Sequence, residues 1–229
     1  MQIDILGAGA FRSALVHLDD GDQFVSESGA MYRASSNVDI DVTTRSRGKG
    51  GILSGLKRLL SSESFFFSTY RVTDGRSGEV GLAPTLQGDV EPVELDGVTS
   101  WYCAGGSYLG SDGSLTVETQ FQGLKGLFTG ESIFFLKVSG TGTMLVNAFG
   151  RIHAIDVDGD LAVDTGHLVA FESTLQYTIT KAGGSWVQSF LGGEGVVMRF
   201  SGRGRILVQS HNPNEFGKVL GRLLPPRKG

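Results

Sequence analysis

The chain has 229 residues, a formal charge of −4, 35 glycines, five prolines and one cysteine. That length supports one large β domain or two smaller ones, and glycine at about twice its usual ~7% share with little proline suits short strands joined by tight turns rather than a disordered chain. The acidic balance argues against a general nucleic-acid binder, and the lone Cys103 excludes an internal disulfide and a cysteine-based zinc site.

The first residues, MQIDILGAG, lack the basic start and long apolar core of a signal peptide. No apolar run reaches the ~18 residues that span a membrane. The expectation is a cytoplasmic protein.

In chain order, MQIDIL and SALVHL (13–18) read as strands. The loop between them, Gly7-Ala8-Gly9-Ala10-Phe11-Arg12, starts like a dinucleotide-binding turn. Arg12 stands where that motif needs a third small residue, and Asp19-Asp20-Gly21 arrives too soon for a crossover helix. A plain bend is the better reading. Asp-Gly pairs follow at 20–21, 74–75, 96–97, 112–113 and 158–159, each between β-rich segments, which predicts hairpin turns there. VDIDV (38–42), SLTVET (114–119) and RIHAIDV (151–157) alternate as half-buried strands do.

Two segments read as helix. GILSGLKRLLSSE (51–63) puts Ile52, Leu56, Leu59 and Leu60 on one face. Asn212 caps a second, from Pro213 to about Leu224, whose stripe is Phe216, Val219, Leu220, Leu223 and Leu224. Both stripes are expected to dock on the protein's own sheets; a partner or a membrane surface is the alternative for the second.

Two motifs recur in order three times. LLSSESFFFSTYRV, LFTGESIFFLKVSG and FLGGEGVVMRFSG centre on Glu63, Glu131 and Glu194. Each is preceded by a segment sharing a glycine, at Gly29, Gly106 and Gly166. The period of 60–77 residues fits three diverged modules, roughly 20–95, 98–157 and 158–211, of one β domain (1–211), with a helix and basic tail at 212–229. The recurring Glu corners read as turn residues that accept backbone N–H bonds.

Chemistry-bearing residues are sparse. Val163-Asp164-Thr165-Gly166 resembles the core of an aspartic protease, but no second Asp-Thr-Gly or Asp-Ser-Gly exists to share the proton. Gly105-Gly106-Ser107 lacks the final Gly of a nucleophile elbow. His17, His153, His167 and His211 show no metal-ligand spacing; no cofactor or metal is expected. His167 beside Asp164 is the leading single ligand candidate, and Arg199, Arg203 and Arg205 form a basic cluster with two members expected on a Gly-turn tip.

The segments GLKRLLSSESFF, VGLAPTLQGDV, FQGLKGLFTGES, VDTGHLVAFE and FLGGEGVVMRFSGRGRILVQS resemble the altered-inheritance-of-mitochondria twenty-four family, over about Met1 to Ser210. The resemblance implies an all-β fold, a β-sandwich or short double-stranded β-helix like the tryptophan RNA-binding attenuator, with internal duplication and a homotrimer. It supplies no catalytic residues, and a shared fold does not carry function with it. The expectation is a non-enzymatic oligomeric β scaffold, linked to membrane organisation. The rivals are a small-ligand or metal-binding protein with a site near Val163–Glu172, and an RNA-binding ring using Arg199, Arg203 and Arg205; the charge balance makes nucleic acid the weaker partner.

Overall fold

The computed structural model describes residues 1–43, 66–121, 134–181 and 196–225. The helix expected at 51–63 and the corners at Glu63, Glu131 and Glu194 lie outside them.

Among the described residues the chain forms strands and one α-helix, in line with the all-β reading. The strands are β1 (Gln2–Leu6), β2 (Ser13–Leu18), β3 (Gln23–Glu27), β4 (Met31–Ala34), β5 (Asp39–Thr43), β6 (Phe67–Arg71), β7 (Gly78–Leu82), β8 (Val90–Asp96) and β9 (Trp101–Ala104). They continue with β10 (Tyr108–Asp112), β11 (Thr116–Phe121), β12 (Phe134–Ser139), β13 (Thr141–Asn147), β14 (Ile152–Asp164), β15 (Leu168–Glu172), β16 (Gln176–Lys181) and β17 (Val196–Gln209). The helix α1 (Pro213–Leu223) follows. Three sheets result, with strand orders β1-β2-β7-β4, β5-β6-β3-β10-β13-β8 and β11-β12-β9-β15-β17-β14, β16 pairing with β17.

Four of the five Asp-Gly sites turn the chain, but not as hairpins. Gly21, Gly75 and Gly97 have φ of +87°, +75° and +84°, angles that glycine adopts without steric cost. Yet the strands they join, β2 with β3, β6 with β7 and β8 with β9, pair with other strands. They are corners that pass the chain between sheets. Asp158-Gly159 makes no turn at all: it lies within β14, where Gly159 pairs with Gly202 of β17.

One pairing scheme occurs three times. β2 pairs with β7, β8 with β13, and the first half of β14 with the second half of β17. Their inner neighbours are β4, β10 and β15, each carrying a one-residue register shift. β3 pairs with β6, β9 with β12, and the second half of β14 with the first half of β17. Successive units are then stitched by β3 against β10 and by β9 against β15.

Each unit centres one apolar cluster, to which neighbouring units also contribute side chains. Phe24, Tyr70, Val80 and Leu82 anchor the first. Trp101, Cys103, Leu136 and Met144 anchor the second, and Phe135, Phe171, Met198 and Phe200 the third. Cys103 is fully buried, its Sγ 3.3 Å from the Met144 sulfur, and burial pushes its thiol up to about 12, so the neutral form fills space instead of reacting.

Candidate functional site

The turns that follow β3, β9 and β14 meet at one end of the body. The first two are tight. Ala30 N–H donates to the Glu27 carbonyl and Ser107 N–H to the Ala104 carbonyl, with Gly29 and Gly106 at φ of +91° and +81°. The third is a 3₁₀ turn, Thr165–His167, whose first N–H groups are capped by Asp164: its Oδ1 accepts from Gly166 N–H at 2.7 Å. The three glycines that align in sequence thus sit on one surface, although Gly166 keeps an ordinary φ and is a glycine because Asn212 approaches it; a Cβ there would lie 2.2 Å from the Asn212 side chain.

Around these turns lies a cavity of about 390 Å³, lined by Glu27–Ala30, Ala83–Leu86, Ala104–Ser107, Asn147–Phe149, Thr165, Gly166 and the start of α1 among others. In the second unit Asn147 Nδ2 donates to the Gly106 carbonyl at 3.0 Å. In the third, Gln209 Nε2 donates to the Gly166 carbonyl at 2.9 Å. The strand registers put Ala83 in the corresponding place of the first unit, so that turn carries no such amide brace. Among the described residues, the only charged side chain in the lining is Glu27. Burial raises its pKa above the usual carboxylate range, since a partly dehydrated carboxylate is disfavoured.

Behind the cavity sits Asp89, 1% exposed. Its Oδ2 accepts from Ile152 N–H at 3.0 Å; Arg12 and Arg151 approach its two oxygens at 3.6 and 3.8 Å. Its backbone accepts from Ala148 N–H and donates to Gly150 O, and the adjacent Gly88 bridges to Gly150. A Cβ on Gly88 would come 1.6 Å from the Ala148 carbonyl oxygen, so only glycine fits. Arg12, Asp89 and Arg151 each stand immediately before the first strand of a unit. Asp89 therefore ties all three units together. Sequence reasoning missed it; the available signal was an acidic residue at a repeat position held twice by arginine.

The residues singled out by sequence do not assemble. His167 Nδ1 engages the Gln209 carbonyl at 2.8 Å, while Asp164 caps its own turn. Arg203 and Arg205 do not sit on a turn tip: they lie within β17, paired to Asp158 and Asp156 across the ladder, each at 2.8 Å. Arg199 is exposed on the same strand, beside Tyr177 and Asp160 in a second surface hollow. His17 joins Asp4 and Glu79 on the outside of the first sheet. Among the described residues, no three His, Cys, Asp or Glu side chains gather as a metal site, and no helix is long and apolar enough to cross a membrane.

The C-terminal helix forms where expected. Asn212 Oδ1 accepts from the N–H groups of Asn214 and Glu215, and Pro213 opens the first turn. It does not dock on the sheets, however. None of its residues is buried, and Val219, Leu220, Leu223 and Leu224 are exposed. The helix is held at its base, where Phe216 packs on Phe149 with ring centres 5.1 Å apart.

A family model described as mitochondrial biogenesis AIM24 matches residues 3–211. The chain is 34% identical to an uncharacterised protein of Streptococcus pyogenes serotype M6 over 92% of this chain and 86% of that protein. It is similar to a crystal structure of a Streptococcus pyogenes protein at 31% identity and a TM-score of 0.81, over 97% of this chain and 99% of that one.

Proposed function

The chain belongs to the mitochondrial biogenesis AIM24 family, and on that premise we propose that it works in the cytoplasm as a non-enzymatic, self-associating β scaffold. The observation that carries this is an unfilled junction. β3 pairs with β10 and β9 with β15, so the scheme calls for the second half of β14 against β4. Among the described residues each of those strands ends its sheet. The consequence is visible in burial: at the register-shift position Leu109 and Val169 are buried, whereas Tyr32 is 51% exposed. Unpaired edges are templates for another chain, and a second copy supplies the matching edge. A homotrimer is the assembly that the family resemblance favours. The engagement of His167, Asp164, Arg203 and Arg205 in internal bonds supports structural over catalytic or phosphate-binding roles for them.

Light scattering tests it. Wild type should exceed the monomer mass at micromolar concentration, and Tyr32→Lys combined with Ala162→Lys, both exposed edge positions, should return it to monomer without changing the circular dichroism spectrum. A monomeric wild type, or an assembly indifferent to both lysines, would sink the scaffold reading.

Glu27 favours a second reading, capture of a small organic cation in the cavity. A lone half-buried carboxylate among hydroxyls and carbonyls attracts an ammonium group. Spermidine should shift the amide resonances of Gly29 and Gly106, with affinity about tenfold lower in Glu27→Gln, the size of one charge-assisted bond. Binding should weaken as pH falls through the raised Glu27 pKa, because protonation removes the charge. The same shift makes the fold itself more stable in that direction, since the folded state binds the proton more tightly. Resonances unmoved by millimolar spermidine would end this reading.

A further inference from the structure

We propose that α1 is a docking element for anionic membrane surfaces, with its apolar face entering the lipid interface and its basic side meeting the headgroups. The face consists of Phe216, Val219, Leu220, Leu223 and Leu224, at helical spacings of three and four residues, and none of them is buried. Large apolar side chains gathered on one exposed stripe are uncommon on a protein that keeps only water around it. The obvious alternative cover, the protein's own sheets, is not used: among the described residues the ring contact of Phe216 with Phe149 is the one aromatic packing that holds the helix.

Charge identifies the occupant. Lys218 and Arg222 lie on the side of the helix away from the stripe, and the sequence continues with Arg227 and Lys228; Glu215, bonded to Lys218, is the one acid after residue 212. The whole chain is nevertheless at −4, so the β body is more acidic than the total suggests. A basic amphipathic helix on an acidic body is complementary to an anionic bilayer, and the body's own charge turns it away from the lipid. An acidic protein groove would satisfy the charges of α1 equally, but it would not place a stripe widening toward Leu223 and Leu224, the most exposed of the five at 77% and 66%, at the free end. A helix lying in the interface buries its apolar side about 5–10 Å into the headgroup boundary, and the base of α1 is held on the body by the packing of Phe216 on Phe149. The cap is rigid as well. Asn212 is wedged against Gly166 and bonds two helix N–H groups, so the helix is preformed and loses little conformational freedom on binding.

The inference goes beyond the scaffold reading and stands without it, because lipid binding by one chain needs no second copy. The test is co-sedimentation of the full chain with phosphatidylcholine vesicles containing about 30% phosphatidylglycerol and with pure phosphatidylcholine vesicles. Binding to the anionic vesicles should exceed binding to the neutral ones by about tenfold or more, and should decline as salt rises from about 0.05 to 0.5 M through screening. Leu220→Glu with Leu223→Glu should abolish it. Both positions are exposed, so folding is unaffected; an unchanged circular dichroism melt verifies this. Lys218→Glu with Arg222→Glu should remove the preference for anionic lipid. The proposal is overturned if the wild type stays in the supernatant with anionic vesicles. It is overturned too if the leucine variant binds as well as wild type, or if that variant lowers the oligomer mass while neither protein binds lipid, which would make the stripe a contact between copies. Light scattering without lipid, on the edge-lysine variant, reports the scaffold reading separately.

Discussion

Phe171→Ala should lower the free energy of unfolding by about 3–5 kcal/mol, the usual range for emptying a buried aromatic site. Phe171 is fully buried in β15, between β9 and β17. Its ring lies 5.1 Å from those of Tyr102, Tyr177 and Phe200 and 5.5 Å from that of Phe135. Edge-on and offset aromatic contacts add to simple burial, and with neighbours on four strands the cavity has little means of collapse. Total stabilities run to about 5–15 kcal/mol, so the variant should unfold at much lower urea. Val98→Ala, at a position 87% exposed, is the control and should change stability by less than about 0.5 kcal/mol. A midpoint for Phe171→Ala close to wild type would show that the third core is not cooperative with the rest.

Asp89→Asn is expected to cost about 2–3 kcal/mol. Removing one partner of a fully buried ion pair costs about 3–5 kcal/mol, and the figure is reduced here because Arg12 and Arg151 keep 32% and 64% of their side-chain exposure. Asparagine retains an oxygen for Ile152 N–H, so this change isolates the charge. Asp89→Ala also orphans that buried donor and should lose a further 1–3 kcal/mol or so. Double-mutant cycles with Arg12→Ala and Arg151→Ala divide the coupling between the two arginines. Equal stability for wild type and Asp89→Asn would mean that Gly88 and Gly150 alone align the units.

Much of this architecture was legible in the sequence, and the failures have definite causes. The strands at 2–6 and 13–18, the capped helix after Asn212 and the shared glycines at 29 and 106 follow from alternation, capping chemistry and positive φ, which are local properties. Asp-Gly was misread because its dihedral preference fixes a turn and not the partner of the strand beyond it: at Gly21 and Gly97 the chain changes sheet instead of folding back. At Asp158 the following glycine does take a positive φ, +116°, but it does so inside β14, where pairing with Gly202 keeps the strand going. The stripe on α1 was legible as a stripe, but no local rule states which surface covers it. Asp89 and Glu27 were invisible for the same reason: their environments are assembled from segments as far apart as Arg12 and Arg151, or Glu27 and Pro213.

The unfilled junction also bears on symmetry. The free edges of β4 and β14 are different surfaces, so contact between them is heterologous: each copy offers its β14 edge to the β4 edge of the next. A two-fold dimer fills both only if each copy's β4 reaches its partner's β14 at the same time. Otherwise the contacts close into a larger ring or continue as an open filament. The angle between the first and third units of a single chain decides which, so a change at Gly88 or Asp89, on neither edge, should alter the number of copies in the assembly.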